Sequence, residues 1–297
     1  MRKWLAIGGE GFLGSRLFYE LMRRGIEVQA TTRRRAPRSV NWLSFDLQSS
    51  PVSTLGGAVC PFENLVVCIS AGIAGEAACL RNPDLSRYIN VIRTLEVARY
   101  FHARGAFILF MSSNMVFDGS KPFFEITDNT CATGEYGRQK VEAERGLMDL
   151  GDRVAILRMS KLVHRMQEPW EAWLSKLDRT ERLEAFSDLW LTPVPVDIAV
   201  RLIEMIGDRG SSGIFHLSGS SDVSYFEMAT LIARKIGAYE DLVTPARRAD
   251  KSEAVSAVLS YNTLDMTNTM TIFGIRPPTI MEVVDYLCVG RGAMNRP

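Results

Sequence analysis

The chain has 297 residues, of which 46% are hydrophobic and 23% charged, with 23 glycines and 12 prolines. That composition excludes collagen-like, low-complexity and wholly disordered readings, and the length suits one large or two closely joined domains. Lys and Arg (35) balance Asp and Glu (34), so a net charge of +1 supplies no global field for nucleic acid or an anionic membrane. Any partner must be argued from local sites.

No apolar run reaches the ~18 residues that a membrane-spanning helix needs. The opening Met1 to Gly8 carries two cations and only a short apolar stretch, too little for a signal-peptide core. Five cysteines (Cys60, Cys68, Cys79, Cys131, Cys288) stand apart from one another and from any histidine pair. Isolated thiols read as packing residues in a reducing compartment rather than as a disulfide framework or a metal site. A cytoplasmic protein without a resident metal is the expectation.

In chain order, Trp4–Ile7 reads as a short apolar strand. Phe12–Arg24 follows with Leu13, Leu17 and Leu21 at helical spacing, and stops at Gly25. Val28–Thr32 is a second strand, and Leu65–Ser70, rich in Val and Ile, a third. Leu85–Ala103 reads as one long amphipathic helix. Phe107–Met111 is a buried strand, Tyr136–Leu150 a helix and Arg153–Leu157 a strand. Continuously apolar strands separated by helices imply a parallel sheet covered on both faces.

Beyond residue 160 the rhythm loosens. Trp170–Leu177 is helical, Leu191–Pro195 is rich in proline, and a short helix spans Asp197–Ile206. Ile214–Leu217 is a strand; Tyr225–Ile236 and Ile280–Leu287 are helices, the latter following Pro277-Pro278. The expected organisation is a nucleotide-binding domain over 1–160, to which 191–218 returns. A smaller C-terminal α/β lobe over 161–190 and 219–290 shares its cleft, and 291–297 forms a poorly ordered tail.

Gly8-Gly9-Glu10-Gly11-Phe12-Leu13-Gly14 lies between the first strand and the first helix. Glycines there allow a tight turn and close approach to a pyrophosphate, and the helix start offers free N–H groups. Gly8, Gly11, Phe12, Leu13 and Gly14 are therefore candidate cofactor residues. The second strand ends in Thr31-Thr32-Arg33-Arg34-Arg35, with no carboxylate for a ribose 2′-hydroxyl. A guanidinium suits a 2′-phosphate, so Thr32, Arg33 and Arg34 point to NADP (NADPH), Arg33 foremost; a solvated basic turn is the alternative. Asp46-Leu47 could accept from an adenine amino group or simply cap a turn.

Tyr136 and Lys140 stand four residues apart, on one helix face, some twenty residues after Ser112-Ser113-Asn114 at a strand end. Reducing a carbonyl needs a hydride donor and a proton donor to the developing alkoxide. A phenol has a pKa near 10 in model peptides, and a neighbouring ammonium is expected to draw it down. Ser113 would polarise the substrate oxygen. Tyr136, Lys140 and Ser113 are the candidate catalytic residues.

These features together resemble the extended short-chain dehydrogenase/reductases, with a Rossmann-type doubly wound parallel sheet, and within them the dTDP-4-dehydrorhamnose reductase-like group. The resemblance covers nearly the whole chain. It rests on the glycine loop, Ala71-Gly72, Tyr88-Ile89-Asn90-Val91, Ser112 to Gly119, Tyr136 to Lys140, Ile156-Leu157-Arg158, Phe186-Ser187-Asp188, Thr192 to Ala199 and Phe215 to Gly219. It implies an NADP-dependent reductase of a keto group on a nucleotide-diphosphate sugar. Ala71 and Gly72 would lie near the adenine-side ribose, and Lys140 would also hold the nicotinamide ribose.

Substrate candidates are Asn114, Met115, Arg158, Lys161 and His164. Asn114-Met115 replaces the Asp-Tyr usual after the catalytic residue, which leaves the sugar and the nucleotide open. A homodimer through Leu85–Ala103 and Tyr136–Leu150 is implied only by the resemblance. The alternatives are an epimerase or dehydratase of the same superfamily and a non-catalytic NADP-binding regulatory subunit. Trp170, Trp173 and Trp190 fit either a stacking role or the core of the small lobe.

Overall fold

The computed structural model describes residues 2–34, 39–57, 59, 61–248 and 259–290. Cys60 and the tail 291–297 lie outside them. The chain divides into two units. The first comprises Met1–Asp118, Ile126–Met159 and Asp197–His216; the second comprises Gly119–Glu125, Ser160–Val196 and Leu217–Pro297. The returning segment is thus narrower than 191–218, and the short stretch 119–125 joins the second unit, a detour that no shift in composition marks.

In chain order the first unit begins with β1 (Lys3–Ile7), α1 (Phe12–Arg23), β2 (Val28–Thr32), β3 (Trp42–Ser44), α2 (Ser53–Gly56) and β4 (Leu65–Ile69). It continues through α3 (Glu76–Arg81), α4 (Pro83–Arg87), a π-helical turn (Tyr88–Arg93), α5 (Thr94–His102), β5 (Phe107–Ser113), α6 (Glu135–Met148) and β6 (Val154–Met159). The second unit then supplies β7 (Lys161–Val163), α7 (Trp170–Asp178), β8 (Leu183–Phe186), β9 (Trp190–Leu191) and β10 (Pro193–Pro195). Next come α8 (Val196–Arg209) and β11 (Gly213–Leu217), then β12 (Val223–Ser224), α9 (Tyr225–Ile236), β13 (Val243–Ala246), α10 (Thr267–Phe273) and α11 (Ile280–Leu287).

The main sheet has the order β11-β6-β5-β4-β1-β2-β3, and β1 through β6 pair in parallel. Its central strands are apolar on both faces: Leu65-Val66-Val67-Cys68-Ile69 is buried throughout, as helices on either side require. The reversal of strand order between β1 and β4 opens a crevice at the carboxyl ends of these strands, where doubly wound sheets take ligands.

Leu85–His102 is helical without a break, as the sequence suggests, but it is not α-helical throughout. Asn82 caps α4 by accepting from Leu85 N–H at 3.1 Å, with Pro83 in the first turn. The π-helical turn then adds a residue per turn and rotates Asn90 and Arg93 inward, where both are buried. Arg93 donates from Nε to the Leu47 carbonyl at 2.8 Å. Apolar periodicity cannot register a local change of helical pitch carried by polar residues.

β5 runs two residues past the apolar stretch that announced it. Ser112 and Ser113 continue the ladder against Arg158 and Met159 of β6, so Ser113 is the last residue of the strand. The proline-rich stretch also holds a strand: Pro193–Pro195 pairs in parallel with Lys161–Val163.

The second unit has its own core. Trp170 stacks on Tyr225 with ring centroids 5.8 Å apart and meets Trp173 edge-on at 5.2 Å. Both tryptophans are buried among Leu174, Ile232 and Val284; Trp190 is exposed. Capping boxes at Ser224/Glu227 and Thr279/Glu282 begin α9 and α11.

Candidate active site

The glycine loop connects β1 to α1 and is pinned to the end of β2. Gly8 N–H donates to Thr31 Oγ1 at 2.9 Å and Gly9 N–H to the Thr31 carbonyl at 3.2 Å. Gly8 has φ +97°, a conformation that side chains disfavour. A Cβ on Gly14 would stand 2.2 Å from the Gly8 carbonyl oxygen, so glycine there lets the helix start close on the strand. Gly11, at the helix N-cap, offers no side-chain acceptor, and the first-turn N–H groups of α1 remain available to an anion.

A cavity of about 310 Å³ opens beside this loop, lined by Gly8, Gly11, Arg33, Asp46, Leu47, Ala71 and Gly72, among others. Seven expected cofactor residues therefore face one groove. Ser70, Gln48 and Ile73, which no motif marks, line it too, as does Ile89 of the Tyr88-Ile89-Asn90-Val91 motif. Thr32 and Arg34 line an adjoining cavity of about 240 Å³, where Arg34 Nε lies 3.0 Å from Glu10 Oε1. Leu13 is turned into the core and Phe12 is exposed; neither lines the groove. Asp46 lines the groove and also caps a local turn, accepting from Gln48 N–H at 3.0 Å, as the turn-cap reading expects. The narrow turn, the uncapped helix start and the guanidinium at the rim fit a dinucleotide.

The second part of the site lies where β5 ends. Ser113 Oγ accepts from Met115 N–H at 3.2 Å and donates to Asn114 Oδ1 at 3.4 Å, fixing the turn Asn114–Val116. The helix α6 is docked on this turn. A Cβ on Gly137 would fall 2.1 Å from the Met115 carbonyl oxygen, so the residue between Tyr136 and Arg138 must be small. One turn further on, Lys140 Nζ donates to the Met111 carbonyl at 2.8 Å and lies 5.7 Å from the Tyr136 ring centroid. Tyr136, Lys140 and Ser113 therefore belong to one junction between a helix and the carboxyl end of a strand.

The electrostatics depart from the sequence expectation. Burial pushes the Tyr136 phenol up to about 12, with the Cys79 thiol adding to it. Burial also holds Lys140 down to about 8, opposed by the Glu144 carboxylate one turn along. Desolvation sets the direction of the phenol's shift. At neutral pH the phenol keeps its proton, the form a proton donor requires.

The substrate candidates separate. Asn114 is buried in the turn and Met115 half-buried beside it. Arg158, expected beside the substrate, instead holds its guanidinium inside the first unit, paired with Glu144 at 2.8 Å and over the Phe117 ring. An arginine committed to a buried carboxylate is not offered to a ligand. His164 is likewise buried in the second unit, where Nδ1 accepts from Met166 N–H at 3.1 Å and the ring meets Tyr286 edge-on. Lys161 is exposed at the start of β7.

Among the described residues, no group of three His, Cys, Asp or Glu side chains is arranged to hold a metal. No helix among them is long and apolar enough to cross a membrane. Cys68, Cys79 and Cys288 are buried free thiols, and Cys131 is exposed.

A doubly wound sheet with a glycine loop at β1 and a Ser-Tyr-Lys junction at the end of β5 defines the extended short-chain dehydrogenase/reductase class of NAD(P)-dependent oxidoreductases. Within that class the chain belongs to the RmlD substrate binding domain family, whose model matches residues 1–288. Methionine adenosyltransferase 2 subunit beta of Bos taurus is 26% identical over 242 residues, covering 78% of this chain and 71% of the relative. A dTDP-4-keto-6-deoxy-D-glucose reductase of Streptomyces niveus is 26% identical over 250 residues, 82% of each chain. The crystal structure of dTDP-4-dehydrorhamnose reductase from Bacillus anthracis, in complex with NADP, superposes with a TM-score of 0.83 at 19% identity. That match covers 97% of this chain and 99% of the other.

Proposed function

We propose that the chain is an NADP-dependent reductase of a keto group on a nucleotide-diphosphate sugar. One observation carries this reading: α6 is locked to the carboxyl end of β5 through the Gly137–Met115 contact and the Lys140–Met111 hydrogen bond. That lock brings Tyr136 and Lys140 to Ser113 at the rim of the sheet. The bound dinucleotide supplies the hydride. Gly8, Gly11, Ala71 and Gly72 would hold it, with Arg33 toward a 2′-phosphate. Ser113 would turn its one hydroxyl hydrogen from the long 3.4 Å contact with Asn114 Oδ1 to the carbonyl oxygen and polarise it. Tyr136 then gives its proton to the oxygen as negative charge develops there, and Lys140 favours the phenolate left behind.

Burial pushes the Tyr136 phenol up to about 12, so it enters the reaction carrying the proton that reduction of a carbonyl consumes. The Streptomyces niveus relative supports a deoxysugar nucleotide as substrate. The same chemistry gives Asn114 and Met115 a place beside the sugar. The exposed Tyr88 and Ile92 of the π-helical turn and Met148 of α6 support pairing of two copies through these helices, which sedimentation of the purified chain would read out.

The test is NADPH oxidation with a panel of dTDP-, UDP-, GDP- and CDP-linked keto sugars. Tyr136→Phe should lower turnover by about 10²- to 10⁴-fold with NADPH binding nearly unchanged. Undiminished turnover in the variant refutes the mechanism. The second reading, a regulatory subunit, is favoured by likeness to methionine adenosyltransferase 2 subunit beta. It would show as tight cofactor binding without turnover of any sugar in the panel.

A further inference from the structure

The start of α6 presents a puzzle of hydrogen bonding. Its N-cap is Gly134, which has no side chain to accept from the first turn, yet Tyr136 sits in that turn and must be held still. The acceptor comes from another element. Glu76, at the start of α3, receives Glu135 N–H on Oε1 at 2.7 Å and Tyr136 N–H on Oε2 at 3.0 Å. Both carboxylate oxygens are engaged by consecutive backbone donors, and the charge lies at the positive end of the helix dipole.

The fit is close on both sides. A Cβ on Gly134 would stand 2.4 Å from Glu76 Oε2, so the absent side chain at the N-cap makes room for the remote carboxylate. Glu76 ends a short strap that begins in the cofactor groove, which Ala71, Gly72 and Ile73 line. The strap is tied to α6 a second time through Asn90. That side chain accepts from Ile73 N–H at 2.8 Å, donates to the Ile73 carbonyl at 2.9 Å and donates to Gln139 Oε1 at 2.8 Å. Gln139 in turn donates to Ser86 Oγ and to Glu135 Oε1, both at 2.8 Å.

We infer that Glu76 is a positioning residue for Tyr136, fixing the catalytic helix to the strap that lines the cofactor groove. It touches neither substrate nor reacting atoms; it acts through the backbone of Glu135 and Tyr136. The role rests on the reductase reading of Tyr136, whereas the joint itself is a matter of backbone hydrogen bonding and is tested separately.

The experiment compares Glu76→Ala, Gly134→Ala, the double variant and Glu76→Gln in the full chain. Readouts are kcat, KM for the keto sugar, NADPH affinity by fluorescence, and amide exchange at Glu135 and Tyr136. Each alanine variant should lower kcat about tenfold or more, since small misplacements at a reacting centre are costly, while KM and NADPH affinity change by less than about threefold. Exchange at the two amides should accelerate while that at Ala143 and Leu147 stays slow. Because Gly134→Ala acts by expelling the carboxylate, the double variant should be no worse than Glu76→Ala alone. Glu76→Gln, which keeps one acceptor oxygen, should recover part of kcat.

Unchanged kcat in Glu76→Ala, or losses that multiply in the double variant, would overturn the inference. Uniformly faster exchange along α6 would overturn it as well, by showing general loosening. Native protein inactive on every keto sugar would refute the reductase reading and the catalytic part of the inference with it; exchange at the two amides would still decide whether the joint exists.

Discussion

The buried ion pair beneath the Ser113-Tyr136-Lys140 junction gives a prediction with a defined size. Glu144 and Arg158 are only 5% and 4% exposed at their side chains. Arg158 Nε reaches both carboxylate oxygens at 3.1 Å and its second nitrogen reaches Oε2 at 2.8 Å. Ser112 also donates its hydroxyl to Glu144. Replacing Glu144 by Leu leaves a guanidinium buried without its counter-charge, which costs about 3–5 kcal/mol. At roughly 2 °C per kcal/mol for a chain of this size, the melting temperature should fall by about 6–10 °C.

Replacing both partners, Glu144→Leu with Arg158→Met, removes the stranded charge. Apolar replacement of a buried pair is often neutral or stabilising, so most of the loss should return. The orphaned Ser112 hydroxyl accounts for about 1–3 kcal/mol of what does not, and adding Ser112→Ala should recover part of that. Differential scanning calorimetry of the single, double and triple variants closes the cycle. A double variant as unstable as the sum of its singles would refute the reasoning, because the cost would then lie in lost packing and not in the uncompensated charge.

Two further predictions concern the site. Lys140, held at about 8 by burial, should impose a falling limb near that pH on the rate of reduction as its ammonium is lost, and Lys140→Met should abolish that limb together with most of the activity. The same shift acts on folding: the folded-state value lies below the ordinary 10.5, so the unfolded chain binds more protons between about 8 and 10.5 and this lysine's contribution to stability rises across that window. Titration calorimetry or fluorescence should show Arg33→Ala weakening NADPH by about tenfold or more, the scale of a charge-assisted hydrogen bond, with NADH affected far less; equal losses for the two would remove the 2′-phosphate assignment.

What could be read from the sequence was what depends on local spacing. The glycine loop, the i,i+4 pair Tyr136 and Lys140, and the alternation of apolar strands with helices all declare themselves over short windows. Ser113 was visible as a motif, although its strand seemed to end at Met111 because apolar character stops there while the backbone ladder continues. Features set by long-range pairing were hidden. Glu76 caps a helix that begins 59 residues later, and nothing in Gly75-Glu76-Ala77 marks it as a cap. Arg158 looked available to a ligand because its partner Glu144 lies on another element. Prolines hid the strand at Pro193–Pro195, whose edge position tolerates them. The direction of the Tyr136 shift was misread because proximity to a cation is legible in a sequence and desolvation is not.

The route of the chain through the main sheet has a consequence for biogenesis. The sixth strand of that sheet ends at Met159, whereas its last neighbour begins only at Gly213. During translation the nucleotide-binding unit must wait, with the flank of β6 unpaired, until the intervening stretch has left the ribosome. An open flank of that kind is a template for wrong pairing. A nascent chain stalled near residue 160, or a fragment cut there, is therefore the form of this protein most in need of a chaperone.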